Sequence, residues 1–235
     1  VVGVWCVGRG GGARALAGSM RRQRQRWIRD SDYPVRPFST QTFYDLLVAE
    51  VAGTRGELGL ALENYRKQAR ITRDPGVIAR AVNTASFQKN NEALQELGVL
   101  WAEIEPDNLQ ARNMAFYAQA QQAHFDFAFK HAQYLLSHGN GKYMVLLPSY
   151  TTELDEAHRL LLLEQYIAGE KNHPGNRDLL LGKTLLLAQL ARNDEALSTV
   201  HTLLAAHPDD QPARLVAAQI LHKDKQHEAA IAELE

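Results

Sequence analysis

The chain has 235 residues, 45% of them hydrophobic and 23% charged, with a formal net charge of −1. That is the balance of an ordinary soluble protein, and no apolar run approaches the ~18 to 20 residues of a membrane-spanning helix. Its single cysteine, Cys6, excludes an intrachain disulfide, which is compatible with the cytosol and also with the periplasm.

The charge is unevenly spread. Residues 1–36 carry a net +6 and the remaining 199 a net −7. A mildly acidic body argues against a grip on nucleic acid along its length. Six glycines within positions 3–18 precede an arginine-rich stretch from Arg21 to Arg29, and Pro34 and Pro37 break any regular structure after it. Residues 1–37 therefore read as an irregular Gly/Arg-rich arm or leader, and the start at Val1 in place of Met points to a processed or truncated N-terminus. Gly8-Arg9-Gly10-Gly11-Gly12-Ala13 superficially matches a dinucleotide-binding turn, but the second strand and its acid are replaced by arginines and prolines. Arg21-Arg22 has no apolar core after it, and Trp5 before Cys6 is too large for a lipoprotein cleavage site.

From residue 40 the pattern changes. Apolar residues recur at helical spacing, and Pro106, Pro174 and Pro208 lie 68 and 34 residues apart, with Gly139-Asn140 where the intervening turn is due. Small residues keep the same phase: Ala61, Ala93, Ala128, Ala196 and Ala230 are separated by 32, 35, 68 and 34 residues. A 34-residue period with a small residue where two helices must approach is the signature of the tetratricopeptide helix–turn–helix unit. The spacing predicts an all-α, right-handed tetratricopeptide-type α-solenoid over 38–235. Its units fall at about 40–74, 75–106, 107–139, 140–173, 174–207 and 208–235. Asp107-Asn108, Gly175-Asn176 and Asp209-Asp210 are placed to cap the helices that follow. Unit four departs from the pattern. Pro148 interrupts its first helix and Leu162 stands in the small-residue position, which predicts a short or kinked helix followed by one from about Asp155 to Lys171. The sixth unit stops inside its second helix, so the natural protein is expected to continue.

The units resemble tetratricopeptide repeats. Segments 38–53, 65–70, 73–77 (Arg73-Asp74-Pro75-Gly76-Val77) and 100–108 (Leu100-Trp101-Ala102-Glu103-Ile104-Glu105-Pro106-Asp107-Asn108) further resemble a group of proteobacterial outer-membrane tetratricopeptide lipoproteins. The resemblance covers most of 38–235. It implies an adaptor that binds a carboxyl-terminal processing protease and brings it cell-wall hydrolase substrates. It also implies a periplasmic, outer-membrane-attached location, with a cytoplasmic one as the alternative. Membrane association would then run only through a lipid anchor that residues 1–37 do not show.

In such arrays the first helix of each unit lines a concave groove. With the alanines as phase markers, the groove residues are Glu50, Thr54, Val82, Ser86, Asn113, Tyr117, Gln121, Gln189, Gln219 and Lys223. The set is rich in amides that can hydrogen-bond an extended peptide, and Tyr117 adds a flat apolar contact. The expected partner is a protein or peptide.

No catalytic grouping, cofactor loop or metal motif stands out. There is no nucleophile elbow, no phosphate loop and no HExxH. His124, His131 and His138 lie seven apart, too far along a helix to chelate together, and His222 and His227, five apart, are expected to face differently. Trp101, Phe116, Phe125, Phe127, Phe129 and Tyr134 should mostly fill helix–helix gaps. The reading is a non-catalytic scaffold. Its alternatives are the repeat portion of a larger enzyme or a self-assembly module.

Overall fold

The computed structural model describes residues 37–234. The dinucleotide-like turn, the paired arginines, Cys6 and nearly all of the proposed arm lie outside the described residues. The residues from Thr40 on form one compact unit, and its described part is wholly helical. Its α-helices, in chain order, are α1 (Thr40–Thr54), α2 (Leu58–Thr72), α3 (Pro75–Phe87), α4 (Asn91–Ile104), α5 (Leu109–Gln121) and α6 (Phe125–Ser137). Then come α7 (Lys142–Leu146), a 3-10 segment (Leu147–Thr151), α8 (Glu156–Asn172), α9 (Arg177–Gln189), α10 (Asn193–Ala206), α11 (Gln211–Lys223) and α12 (His227–Ala232). Each helix packs mainly on its sequence neighbours, which is the quasi-one-dimensional order of a solenoid.

Local chemistry sets the helix starts. Asp74, Asn90, Asn108, Asp155, Asn176 and Asp210 each cap the following helix by accepting a backbone N–H two or three residues on. In each predicted Asx pair after a proline the second residue, Asn108 or Asp210, makes the cap, while Asn176 does so after Gly175. The helix stops repeat as well. A left-handed residue sits in the turn within five of the helix pairs, at Gly56, Lys89, Ala123, Ala191 and Lys225. The next N–H in each turn reaches back to a carbonyl five residues earlier: Glu57 to Ala52, Asn90 to Ala85, His124 to Gln119, Arg192 to Leu187 and Gln226 to Leu221, at 2.9–3.0 Å. This is the bond pattern by which a helix is ended with its last carbonyls satisfied.

Packing explains the alanine phase. Ala61, Ala93, Ala128 and Ala196 are fully buried where paired helices approach. Between α4 and α5 even a methyl is too much, since a Cβ on Gly98 would fall 2.9 Å from that of Met114. The core is laid down in successive clusters, one from α1 to α5 around Ile78, Leu97 and Trp101, the next from α5 to α11 around Phe116, Phe129 and Tyr166. Phe125 is also buried and Tyr134 partly so, but Phe127 is exposed.

Unit four is where the regular pattern gives way. Its first helix lasts five residues, and Pro148 falls in the 3-10 turn that continues it. Leu162 is fully buried in place of a small residue. The segment is pinned from both sides: the Tyr166 hydroxyl donates to the Met144 carbonyl at 2.5 Å, and Gly182 lets that carbonyl lie 2.4 Å from where a Cβ would be.

Candidate protein-binding surface

The predicted groove residues do not form one uniform face. Glu50 and Thr54 on α1 border a hollow of about 330 Å³ that Arg80, Asn83 and Phe87 of α3 complete. Glu50 is held from below by the buried Tyr65 hydroxyl, whose pKa burial, and then this contact, push up to about 12. Arg80 approaches Glu50 only to 3.6 Å and keeps 66% of its side chain exposed. That is longer than a well-formed guanidinium–carboxylate bond, so most of the Arg80 donors face water. Phe87 is 78% exposed at the end of α3, beside these polar groups, and Ser86 is exposed next to it.

Val82 must be corrected. It is 3% exposed and belongs to the core with Ile78, Ala81 and Ala85. These positions form the inward stripe of α3, and one residue of phase error on a helix is a turn of 100°. The outward neighbours are Arg80, Asn83, Thr84 and Phe87, which the sequence reading omitted. An unmatched apolar residue at a helix end, Phe87, was the one signal for them.

A second hollow, of about 180 Å³, lies between α4 and α5 and is lined by Leu94, Gln95, Met114, Tyr117 and Gln121. Gln121 accepts from Gln95 Nε2 at 2.6 Å. Tyr117 stands edge-on to Phe116 and Tyr143 and is half-sunk in the core. Asn113, one turn earlier, has a buried Oδ1 without a hydrogen-bond partner. Gln189 is not available to a partner in the way predicted. Its Oε1 accepts from Thr151 Oγ1 at 2.8 Å and its Nε2 donates to the Pro148 carbonyl at 3.0 Å, which closes the end of the 3-10 turn. Gln219 and Lys223 are exposed on α11, at the rim of an apolar hollow of about 510 Å³ bounded by Leu215, Ile231 and Leu234.

Several outer charges are paired. Arg66 and Arg70 of α2 share Glu96 of α4, and Arg73 reaches Glu103 at 3.0 Å. Arg177 bridges Asp178 and Asp210. His131 Nδ1 faces Arg112 Nη1 at 3.3 Å, while His124 and His138 bond Gln119 and the Tyr134 carbonyl separately. Among the described residues, no group of three or more His, Cys, Asp or Glu could hold a metal ion, and no helix is long and apolar enough to cross a membrane.

Helix pairs whose turn residue recurs at spacings of 33, 34, 68 and 34, with a buried small residue and an Asx cap in phase, define a tetratricopeptide-type α-solenoid. Such solenoids act as protein-binding scaffolds. Comparison with known proteins supports the same repeat family. The chain is 34% identical, over 194 residues, to a TPR repeat-containing protein of Pseudomonas aeruginosa; the match covers 83% of this chain and 33% of that protein. The chain thus spans about a third of the length of that relative. No family model matches it. Solved structures similar to it include a tetratricopeptide repeat protein from Parabacteroides merdae, at 12% identity and a TM-score of 0.47 over 83% of this chain and 78% of that one. A MamA structure from AMB-1 follows at 15% identity and a TM-score of 0.37, over 82% and 87%.

Proposed function

We propose that the chain is a scaffold that holds an extended segment of a partner protein against α1, α3 and α5. The observation that carries this reading is the hollow at Glu50, Arg80, Asn83 and Phe87. There a carboxylate, a guanidinium with unused donors and a free amide stand beside an exposed aromatic ring. Main-chain N–H and C=O groups of an extended segment match those donors and acceptors. An apolar side chain of the partner would cover Phe87, the kind of aromatic that anchors interfaces.

The finer reading is an adaptor for a carboxyl-terminal processing protease, periplasmic and attached to the outer membrane in the parent protein. Its support is the sequence resemblance of 38–108, the segment that builds α1 to α4 and most of this hollow. The test is a binding titration of the full chain with that protease, beside Phe87→Ala and Arg80→Glu. The expected result is micromolar or tighter binding that each variant weakens at least tenfold. Absence of binding by the wild-type chain removes the protease. Binding that neither variant alters removes the surface. Cell fractionation that leaves the parent protein in the cytoplasm removes the location.

A further inference from the structure

The two histidines of the last helical hairpin meet, contrary to what their spacing of five predicts. His222 lies near the end of α11 and His227 opens α12, and Lys225 in the turn between them adopts φ 63°. This left-handed residue folds the chain back within one turn. It brings the two Nδ1 atoms to 3.2 Å, with ring centroids 5.0 Å apart. Both rings are exposed and border the apolar hollow of α11 and α12.

The Nδ1 separation has a chemical meaning. Two imidazole nitrogens that each bind one ion at ~2.0–2.1 Å, the usual Zn–N length, stand 3.2 Å apart when the angle at the metal is about 100–106°. That is close to tetrahedral. A square-planar ion, with its right angle, would need them at about 2.9 Å. The surrounding charge offers a cation nothing, because Lys223 and Lys225 offset Asp224 and Glu228, and Asp224 Oδ1 already accepts from Asn193. Recognition must therefore come from the imidazoles, which suit zinc and do not suit the oxygen-seeking magnesium or calcium.

We propose that His222 and His227 form a two-imidazole clip for a tetrahedral divalent cation of the zinc type, stapling α12 to α11. Without metal, one Nδ1 carries the proton that the other accepts. With metal, both Nδ1 atoms donate lone pairs and both rings carry their proton on Nε2. Water, or the Gln219 amide on the same rim of the hollow, fills the remaining positions. A clip at this point ties the start of α12 to the end of α11, beside the small cluster of Ala218, Leu221 and Ala230.

The experiment titrates zinc chloride into the metal-free full chain and follows the histidine ring nitrogens by NMR, together with amide exchange in α12. The expected result is one-to-one binding that converts both rings to the Nε2–H form and slows exchange in α12. His222→Asn and His227→Asn should each weaken this at least tenfold, while His124→Asn and a magnesium titration leave the two rings as they were. Zinc uptake that leaves the His222 and His227 resonances unmoved overturns the proposal. So does a His222→Asn chain that still slows exchange in α12 at the same zinc concentration. Both positions are exposed, and an unchanged circular dichroism spectrum confirms that each variant has folded.

Discussion

His131 makes the stability of this solenoid depend on pH in a calculable way. It lies on α6, partly buried, with Nδ1 at 3.3 Å from the Arg112 guanidinium. Arg112 cannot easily swing away, since its Nε donates to the Pro106 carbonyl at 2.6 Å and its guanidinium lies over the Tyr134 ring at 4.4 Å. Burial first, and the arginine charge second, lower the His131 pKa from 6.5 to about 4. The folded chain thus holds this ring neutral, whereas the unfolded chain takes up a proton below about pH 6.5. The stabilisation is complete above that pH and is lost as the pH falls from 6.5 towards 4. Linkage gives a loss of about 2 kcal/mol at pH 5, and of about 3 kcal/mol once both states are protonated. For a chain of this size the first figure lowers the melting temperature by roughly 4–8 °C. The assay is thermal unfolding of wild type and His131→Gln at pH 7.5 and 5.0. The variant lacks the titrating ring, so its loss between the two pH values should be smaller by about that amount, whatever its stability at pH 7.5. Equal losses in the two proteins would refute the reasoning, as would an NMR titration that places the His131 pKa near 6.5.

The pinned segment of unit four supplies three further tests. Gly182→Ala forces a methyl against the Met144 carbonyl and the Tyr166 ring, and urea unfolding should show a loss of about 1–3 kcal/mol. Tyr166→Phe leaves the Met144 carbonyl without its donor at a fully buried site, with an expected cost of about 1–3 kcal/mol by the same measurement. Gln189→Ala frees both the Thr151 hydroxyl and the Pro148 carbonyl, and amide exchange should quicken through 147–151 while α1 to α4 keep their protection. Val82→Asn tests the correction to the groove. A core position loses about 1–3 kcal/mol when a polar group is buried without a partner, while a solvent-facing one would show almost no change in the urea midpoint.

The solenoid was legible in the sequence because its constraints are local and repeated. Ala61, Ala93, Ala128 and Ala196 stand where a larger side chain would hold the paired helices apart, and Asn90, Asn108 and Asp210 satisfy helix N–H groups that have no partner within the helix. Each constraint admits few residue types, so it marks the sequence at a fixed period. The left-handed turn residues were far less visible. Lys89, Ala123, Ala191 and Lys225 occupy a conformation that favours glycine, and only Gly56 announces it. The candidate surface was legible only in part for a different reason. A groove position is defined by the rotation of a helix about its axis, and the alanine phase fixes that rotation to within about one residue, or 100°. Within that margin Glu50 and Gln121 lie on the exposed side of their helices, Val82 falls in the core, and Arg80 and Phe87 are passed over.

For a partner segment held as proposed along α1 to α5, unit four changes the surface it meets. In the regular pairs the first helix is 13 or 15 residues long and presents polar groups outwards, such as Arg80 and Gln121. In unit four that helix is replaced by five α-helical and five 3-10 residues, and the outward amide that α9 would offer, Gln189, is turned onto their backbone. Tyr150 then joins Phe116 and, through it, Tyr117 in an edge-on aromatic group. Arg80 and Asn83 of α3 and Gln121 of α5 are exposed, whereas in the aromatic group at unit four Phe116 and Tyr143 are buried and only Tyr117 and Tyr150 reach the surface in part. A partner held along α1 to α5 would end on the aromatic group, where an apolar side chain is favoured and a charged one is not.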